Sequence, residues 1–190
     1  MLHGQNLILR AITSEDIPDL NKWRNNIQNK ILALGFMFPI SEAIDQQWLD
    51  NSYKDNGKKS VYFGIEENKS GNFIGIIQLT DIDWISGTAV IGILIGDKSK
   101  GYKGYSVEAT MLLLNYAFNI LNLRKIVSYN LGFNNTTQKI QAKIGGFNKE
   151  GCLKKHVYLN DEYYDVLIYS IFKSDFNKIH EIDIYKLTSK

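Results

Sequence analysis

One window constrains the fold more than any other. The apolar run Thr88 to Ile95 (TAVIGILI) breaks into a loop holding Gly96, Gly101 and Gly104 among Lys98, Lys100 and Lys103, and a helix-patterned stretch follows at once. The run is too apolar for an exposed edge strand, so it belongs inside a sheet, with the helix returning the chain across one face. The same window suits phosphate. Glycines let backbone approach a ligand, the first unpaired N–H groups of the helix point at the anion, and the helix dipole adds favourable potential. Lysines supply mobile positive charge. A plain solvated turn is the competing reading, and the placement between strand and helix weighs against it. Neither GxxxxGK[ST] nor a GxGxxG after a first strand fits the window. A phosphorylated small molecule is the expected ligand.

The 190 residues suit one domain with a full core, and 44% hydrophobic with 22% charged residues is ordinary globular composition. A net charge of +2 without a basic, aromatic-interleaved stripe gives no reason to expect nucleic acid. Cys152 is the single cysteine, so no internal disulfide forms, and with three histidines no metal site is expected. No apolar run approaches the ~20 residues that span a bilayer. The N-terminus MLHGQNLILRA lacks a signal-peptide pattern. The expectation is a cytoplasmic protein with no membrane partner.

Periodicity and turn residues give the order of elements. Asn6 to Ala11 reads as a strand, and Thr13 with Asp16 as a weaker capping box before a helix striped by Ile17, Leu20 and Trp23. A second helix follows Ser41. Ser60 to Glu66 and Phe73 to Leu79 form a hairpin, and Asp81 to Gly87 a turn into Thr88 to Ile95. The next helix runs from about Tyr105 to Leu121, then a strand from Arg124 to Leu131. A short helix opens at Asn134 or Asn135 and stops at Gly145-Gly146. Phe147 to Leu159 and Tyr163 to Phe172 close a hairpin through Asn160-Asp161-Glu162. The fold class is α/β (α+β), a mixed and mostly antiparallel central sheet flanked by helices. One domain is expected over 1–174, with 175–190 a terminal helix or tail.

Order and residues together resemble the GNAT superfamily of acetyl-CoA-dependent N-acyltransferases, over nearly the whole chain. The branch with ribosomal-protein alanine, spermidine and nucleotide-sugar N-acetyltransferases is most similar. Its phosphate loop, Gln/Arg-x-x-Gly-x-Gly/Ala, aligns with Gly104 at the central glycine and Ser106 at the small final position; Gly101 stands where Gln or Arg is customary. NNTTQKIQAKIGGFNKEG resembles the family's Asn-x-x-Ser segment through Asn134, Thr137, Lys143 and Gly145, with Gly146 as one extra residue. LKKHVYLNDEYYDVLIYSIF is similar to the closing hairpin of the branch.

The resemblance implies acetyl-CoA as co-substrate, with the diphosphate on Lys100, Gly101, Tyr102, Lys103, Gly104, Tyr105 and Ser106. It places pantetheine along the backbone of Ile93, Leu94 and Ile95, beside Asn134 and Thr137. Gly92 and Gly96 would mark a splay or bulge there. An amine attacks the thioester directly in a ternary complex, which requires a proton acceptor and a stabilised thiolate. The family's customary glutamate is replaced by Ala89 or Val90, and its customary tyrosine by Gln141. Asp83 is the candidate base, with Asp81, His156 and Tyr163 as alternatives. Trp23, Arg24 and Asn25 resemble an acceptor-side Trp-Arg-Asn, where the arginine would meet a substrate phosphate. The acceptor stays open among an amino sugar, a polyamine and a protein N-terminus, and a homodimer is possible. A noncatalytic acyl-CoA-binding regulatory module is the alternative, and a different nucleotide-binding protein a third reading.

Overall fold

The computed structural model describes residues 1–34, 37–96 and 104–179. Eight strands form one sheet: β1 (Leu2–His3), β2 (Leu7–Arg10), β3 (Val61–Glu67), β4 (Phe73–Asp83), β5 (Thr88–Ile95), β6 (Lys125–Leu131), β7 (Asn148–Leu159) and β8 (Glu162–Phe172). Their order is β1-β2-β3-β4-β5-β6-β8-β7, and every neighbouring pair is antiparallel except β5 with β6. The mixed, mostly antiparallel sheet is as the sequence predicts. The parallel pair is the expected crossover, carried by α4 (Tyr105–Asn115) and its π-type extension Tyr116–Ile120.

Among the described residues, three α-helices precede β3: α1 (Ile17–Asn25), α2 (Ile27–Leu32) and α3 (Glu42–Asp55). The expected capping box forms, with Asp16 Oδ2 accepting from Thr13 N at 2.8 Å. The Arg10 guanidinium grips Asp16 bidentately at 2.7 and 2.8 Å and Glu66 at 2.5 Å, fixing α1 to the sheet. Sequence periodicity did not reveal α2. Asn26 interrupts the chain with an extended backbone, then caps α2 by accepting from the amides of Gln28 and Asn29.

A second difference concerns β4, which runs to Asp83 where a turn from Asp81 was expected. Register shifts between Thr80 and Asp83, so one extra residue bulges out and pairing resumes at Asp83–Thr88. Asp81 takes up a left-handed backbone at φ 49 within that bulge. After β6, Asn134 Oδ1 accepts from Thr137 N to cap α5 (Asn135–Ile144), which stops at Gly145 and Gly146 at φ 79 and 75. Asn160 and Asp161, both at positive φ, make the β7–β8 turn. Asp165 Oδ2 and Oδ1 accept from Lys154 Nζ and Lys155 N, each at 2.8 Å. Those bonds hold its carboxyl down at about pKa 2. α6 (Lys173–Ile179) begins the expected terminal helix, and residues beyond Ile179 lie outside those described.

The two sheet faces carry separate cores. On one, α4 packs Ala109, Leu113, Ala117 and Phe118 onto Leu9, Ile65, Ile77 and Leu79. On the other, Ile17 and Leu20 of α1 and Leu49 of α3 meet Ile12 and Ile76, flanked by Trp48, Tyr62 and Leu94. No helix among the described residues is long and apolar enough to cross a membrane.

Candidate active site

The parallel pairing of β5 and β6 lasts only three residues: Thr88–Lys125, Ala89–Ile126 and Val90–Val127. Beyond Val90 the strands part, while β5 stays paired with β4 as far as Ile95 opposite Gly75. The sheet therefore opens on one side of β5. Gly96 N donates to Ile74 O at 2.9 Å, which fixes the phase of the β4–β5 ladder. Because bonded pairs alternate in an antiparallel ladder, Gly92 and Leu94 spend their backbone bonds on β4. The amides and carbonyls of Ile91, Ile93 and Ile95 face the gap. Of the three residues expected along pantetheine, Ile93 and Ile95 thus offer backbone, and Leu94 offers its side chain to the wall.

A cavity of about 450 Å³ fills the gap, within the range of small-molecule sites. One wall comes from the α1–α3 side through Arg24, Lys30, Trp48, Tyr62 and Gln78; the other comes from α4, β6 and α5 through Thr110, Ser128, Asn130, Thr137 and Gln141. Among the described residues lining it there is no Asp, Glu, His or Cys; the ionisable ones are Arg24, Lys30, Tyr62 and Tyr129.

Ser128, Asn130 and Gln141 form a buried chain of neutral groups. Ser128 Oγ donates to Asn130 Oδ1, and Asn130 Nδ2 to Gln141 Oε1, both at 3.2 Å. Strand alternation turns Ser128 and Asn130 to the α5 face, where Gln141 sits on the inner side of its helix. Periodicity and motif carry no sign of this trio beyond Gln141 itself. Gln78 was also missed, although a lone amide inside the apolar run FIGIIQLT is a legible signal. A Cβ on Gly92 would stand 3.1 Å from the Gln78 side chain, so Gly92 makes room for that amide rather than marking a bulge in β5.

Gly104 heads α4 in a left-handed backbone at φ 80, and no side chain among the described residues caps the helix. The amide of Ser106, in the first turn, has no intrahelical partner by its position. Tyr105 turns its ring into the core, where its hydroxyl donates to Glu67 Oε1 at 2.6 Å; burial and that carboxylate push the phenol up from its ordinary value. Its contribution to a ligand is therefore backbone. Lys100, Gly101, Tyr102 and Lys103 lie outside the described residues. Thr137 lines the cavity and Asn134 holds it there as the cap of α5.

The expected base is misplaced. Asp83 closes β4 beyond the bulge, exposed, and its Oδ1 accepts from the turn amides Ile85 N and Ser86 N at 2.9 Å. Bonds from Ser86 lower its pKa, which opposes a role as proton acceptor. Asp81, His156 and Tyr163 are exposed too, and none lines the cavity.

Trp23, Arg24 and Asn25 separate as helix geometry requires, about 100° apart around α1. Only Arg24 lines the cavity, paired with the fully buried Asp45 and stacked 5.3 Å over Trp48. Asn25 exchanges two bonds with the Ile40 backbone, at 2.7 and 2.9 Å. Trp23 lies on Gly96 and Phe73; a Cβ on Gly96 would fall 1.7 Å from the indole. Gly96→Ala is expected to cost about 1–3 kcal/mol by overpacking. Thermal denaturation reads that as a Tm lowered by roughly 3–10 °C, and an unchanged Tm would show that the indole moves freely.

The sequence profile described as "Acetyltransferase (GNAT) domain" matches residues 6–146. An uncharacterized N-acetyltransferase, YokL, from the SPbeta prophage of Bacillus subtilis is 28% identical over 177 residues, 93% of this chain and 96% of its own. The spermidine N(1)-acetyltransferase of Vibrio cholerae is 28% identical over 171 residues, 90% of this chain and 95% of its own. A crystal structure of spermidine N-acetyltransferase from Vibrio cholerae, in complex with CoA and spermine, superposes with a TM-score of 0.82 at 26% identity, covering 91% of this chain and 99% of that one. With that profile spanning the splayed strands and the open helix start, the chain belongs to the GNAT superfamily of acetyl-CoA-dependent N-acetyltransferases.

Proposed function

We propose that the protein moves the acetyl group of acetyl-CoA to a primary amine by direct attack, both substrates lying in the opening between β5 and β6. The observation that carries this is the one-sided parting of the sheet beyond Val90, next to a helix that starts at the left-handed Gly104 with no capping side chain among the described residues. The diphosphate rests on the first-turn amides after Gly104, and pantetheine lies against the free backbone of Ile93 and Ile95, between Thr137 and the strand. The amine, that of an amino sugar, a polyamine or a protein N-terminus, enters from the α1–α3 side, beside Arg24.

A cavity without carboxylate or imidazole among its described residues leaves the ammonium proton to water at the open mouth. An alkylamine with a pKa of about 10 is mostly protonated at neutral pH, so transfer rises with pH toward that value. The departing thiolate meets the amide of Gln141: its Oε1 is taken by Asn130, which leaves Nε2 as the donor.

Thiol release with a panel of amines, run beside calorimetry with acetyl-CoA, tests the reading. CoA released only with particular amines is the expected result. Heat of binding without release for any amine would instead give a noncatalytic acyl-CoA-binding module, and absence of heat would remove both.

A further inference from the structure

The charges around the acceptor half of the cavity favour one class of amine. Lys30 is only 7% exposed, yet it lines the cavity, and the bond its ammonium makes among the described residues is to the carbonyl of Phe38. A buried ammonium facing one carbonyl dipole is under-compensated, because burying a charge is costly unless an opposite charge meets it. Arg24 lies in the same wall. Asp45 takes its Nη1, and the remaining N–H groups of the fork, Nε and Nη2, have no partner among the described residues. Asp45 itself is fully buried behind the arginine and is not part of the lining. Two cations are thus presented to the cavity and no carboxylate is, among the described residues. Trp48 and Tyr62, ring centroids 4.9 Å apart, complete the wall with apolar surface rather than acceptors.

We infer that the acceptor is an amine whose body carries an anionic group, a carboxylate or a phosphate, which Lys30 and Arg24 hold while the amine faces the thioester. The inference rests on the acetyltransferase reading. A polyamine brings two or three positive charges into a wall that already holds two, and like charges in a partly desolvated site repel. An anion relieves the stranded ammonium of Lys30 and completes the open fork of Arg24 through charge-assisted bonds.

The test uses the whole native protein, acetyl-CoA and matched acceptors: an amino sugar against its phosphate ester, an alkylamine against the ω-amino acid of equal length, and spermidine. The kcat/KM of the anion-bearing partner is expected to exceed that of its neutral match by about tenfold or more, as one charge-assisted contact allows. Spermidine is expected to fall below both. The two pairs separate phosphate from carboxylate. In Lys30→Met the ratio of anionic to neutral kcat/KM falls toward one, and a ratio within one protein is insensitive to how much of it folds. Preference for spermidine, equal rates within each pair, or a ratio unmoved in Lys30→Met overturns the anionic acceptor and leaves acetyl transfer standing. Absence of release with every amine overturns the acetyltransferase reading with it.

Discussion

Gly104→Val is expected to raise the Kd for acetyl-CoA by about a hundredfold, which corresponds to about 2.7 kcal/mol, while lowering Tm by roughly 3–10 °C. Gly104 sits at φ 80, and a Cβ built there meets nothing within 4 Å. A side chain therefore clashes with no described part of the protein. Its cost to folding is the left-handed backbone alone, of order 1–3 kcal/mol for a β-branched residue. The same emptiness is why binding suffers more. The open space lies at the head of α4, where first-turn amides such as that of Ser106 point out of the helix and no side chain among the described residues caps it. An isopropyl group put there stands where an anion must approach, and it also displaces the water that would otherwise solvate those amides. Calorimetry with acetyl-CoA measures the first effect and thermal denaturation the second. Gly104→Ala, with less bulk, should fall between. An unchanged Kd in both variants would move the diphosphate away from this helix start.

That prediction rests on a feature legible in the sequence because it is local. A glycine loop, a helix start and the outward-pointing amides of a first turn are properties of a few consecutive residues, and the run from Thr88 to Ser106 announces them. The hairpins and the crossover were legible for the same reason, through turn residues and apolar alternation. What was not legible depends on which side chains the fold brings together. Ser128 and Asn130 lie on β6 and Gln141 on α5, and their chain exists only because the two elements pack. Nothing local in the sequence separates Lys30 from the other lysines; the packing of α2 and the carbonyl of Phe38 enclose it. Asp83 fails as a base through register: it ends the strand that borders the site, and past the bulge at Asp81 its side chain is exposed and bonded to the following turn. The Trp-Arg-Asn segment was half legible. Consecutive residues on a helix cannot share a face, so one of the three reaches the cavity and the other two hold the helix in place.

The second large effect is expected at the residue that does reach it. Arg24→Met should destabilise the protein by about 3–5 kcal/mol, because it strands a buried charge rather than because it deletes a contact. Asp45 is 0% exposed, and its partners are the Arg24 guanidinium and the Asn21 amide, the latter at 2.7 Å. Without the arginine a single neutral donor faces a carboxylate that water cannot reach. For a chain of this size that loss lowers Tm by roughly 6–20 °C. The double variant Arg24→Met with Asp45→Leu removes both charges and keeps the volume apolar, and replacements of this kind are often neutral or stabilising. Its Tm should return to near the native value. The three measurements form a cycle in which the coupling term is large and of one sign. If the single and double variants melt together, the pair holds nothing in place. Stability recovered in the double variant then isolates the chemical role of the arginine. Thiol release should still occur with neutral amines, while the advantage of anion-bearing acceptors shrinks, since the wall keeps Lys30 alone to meet them.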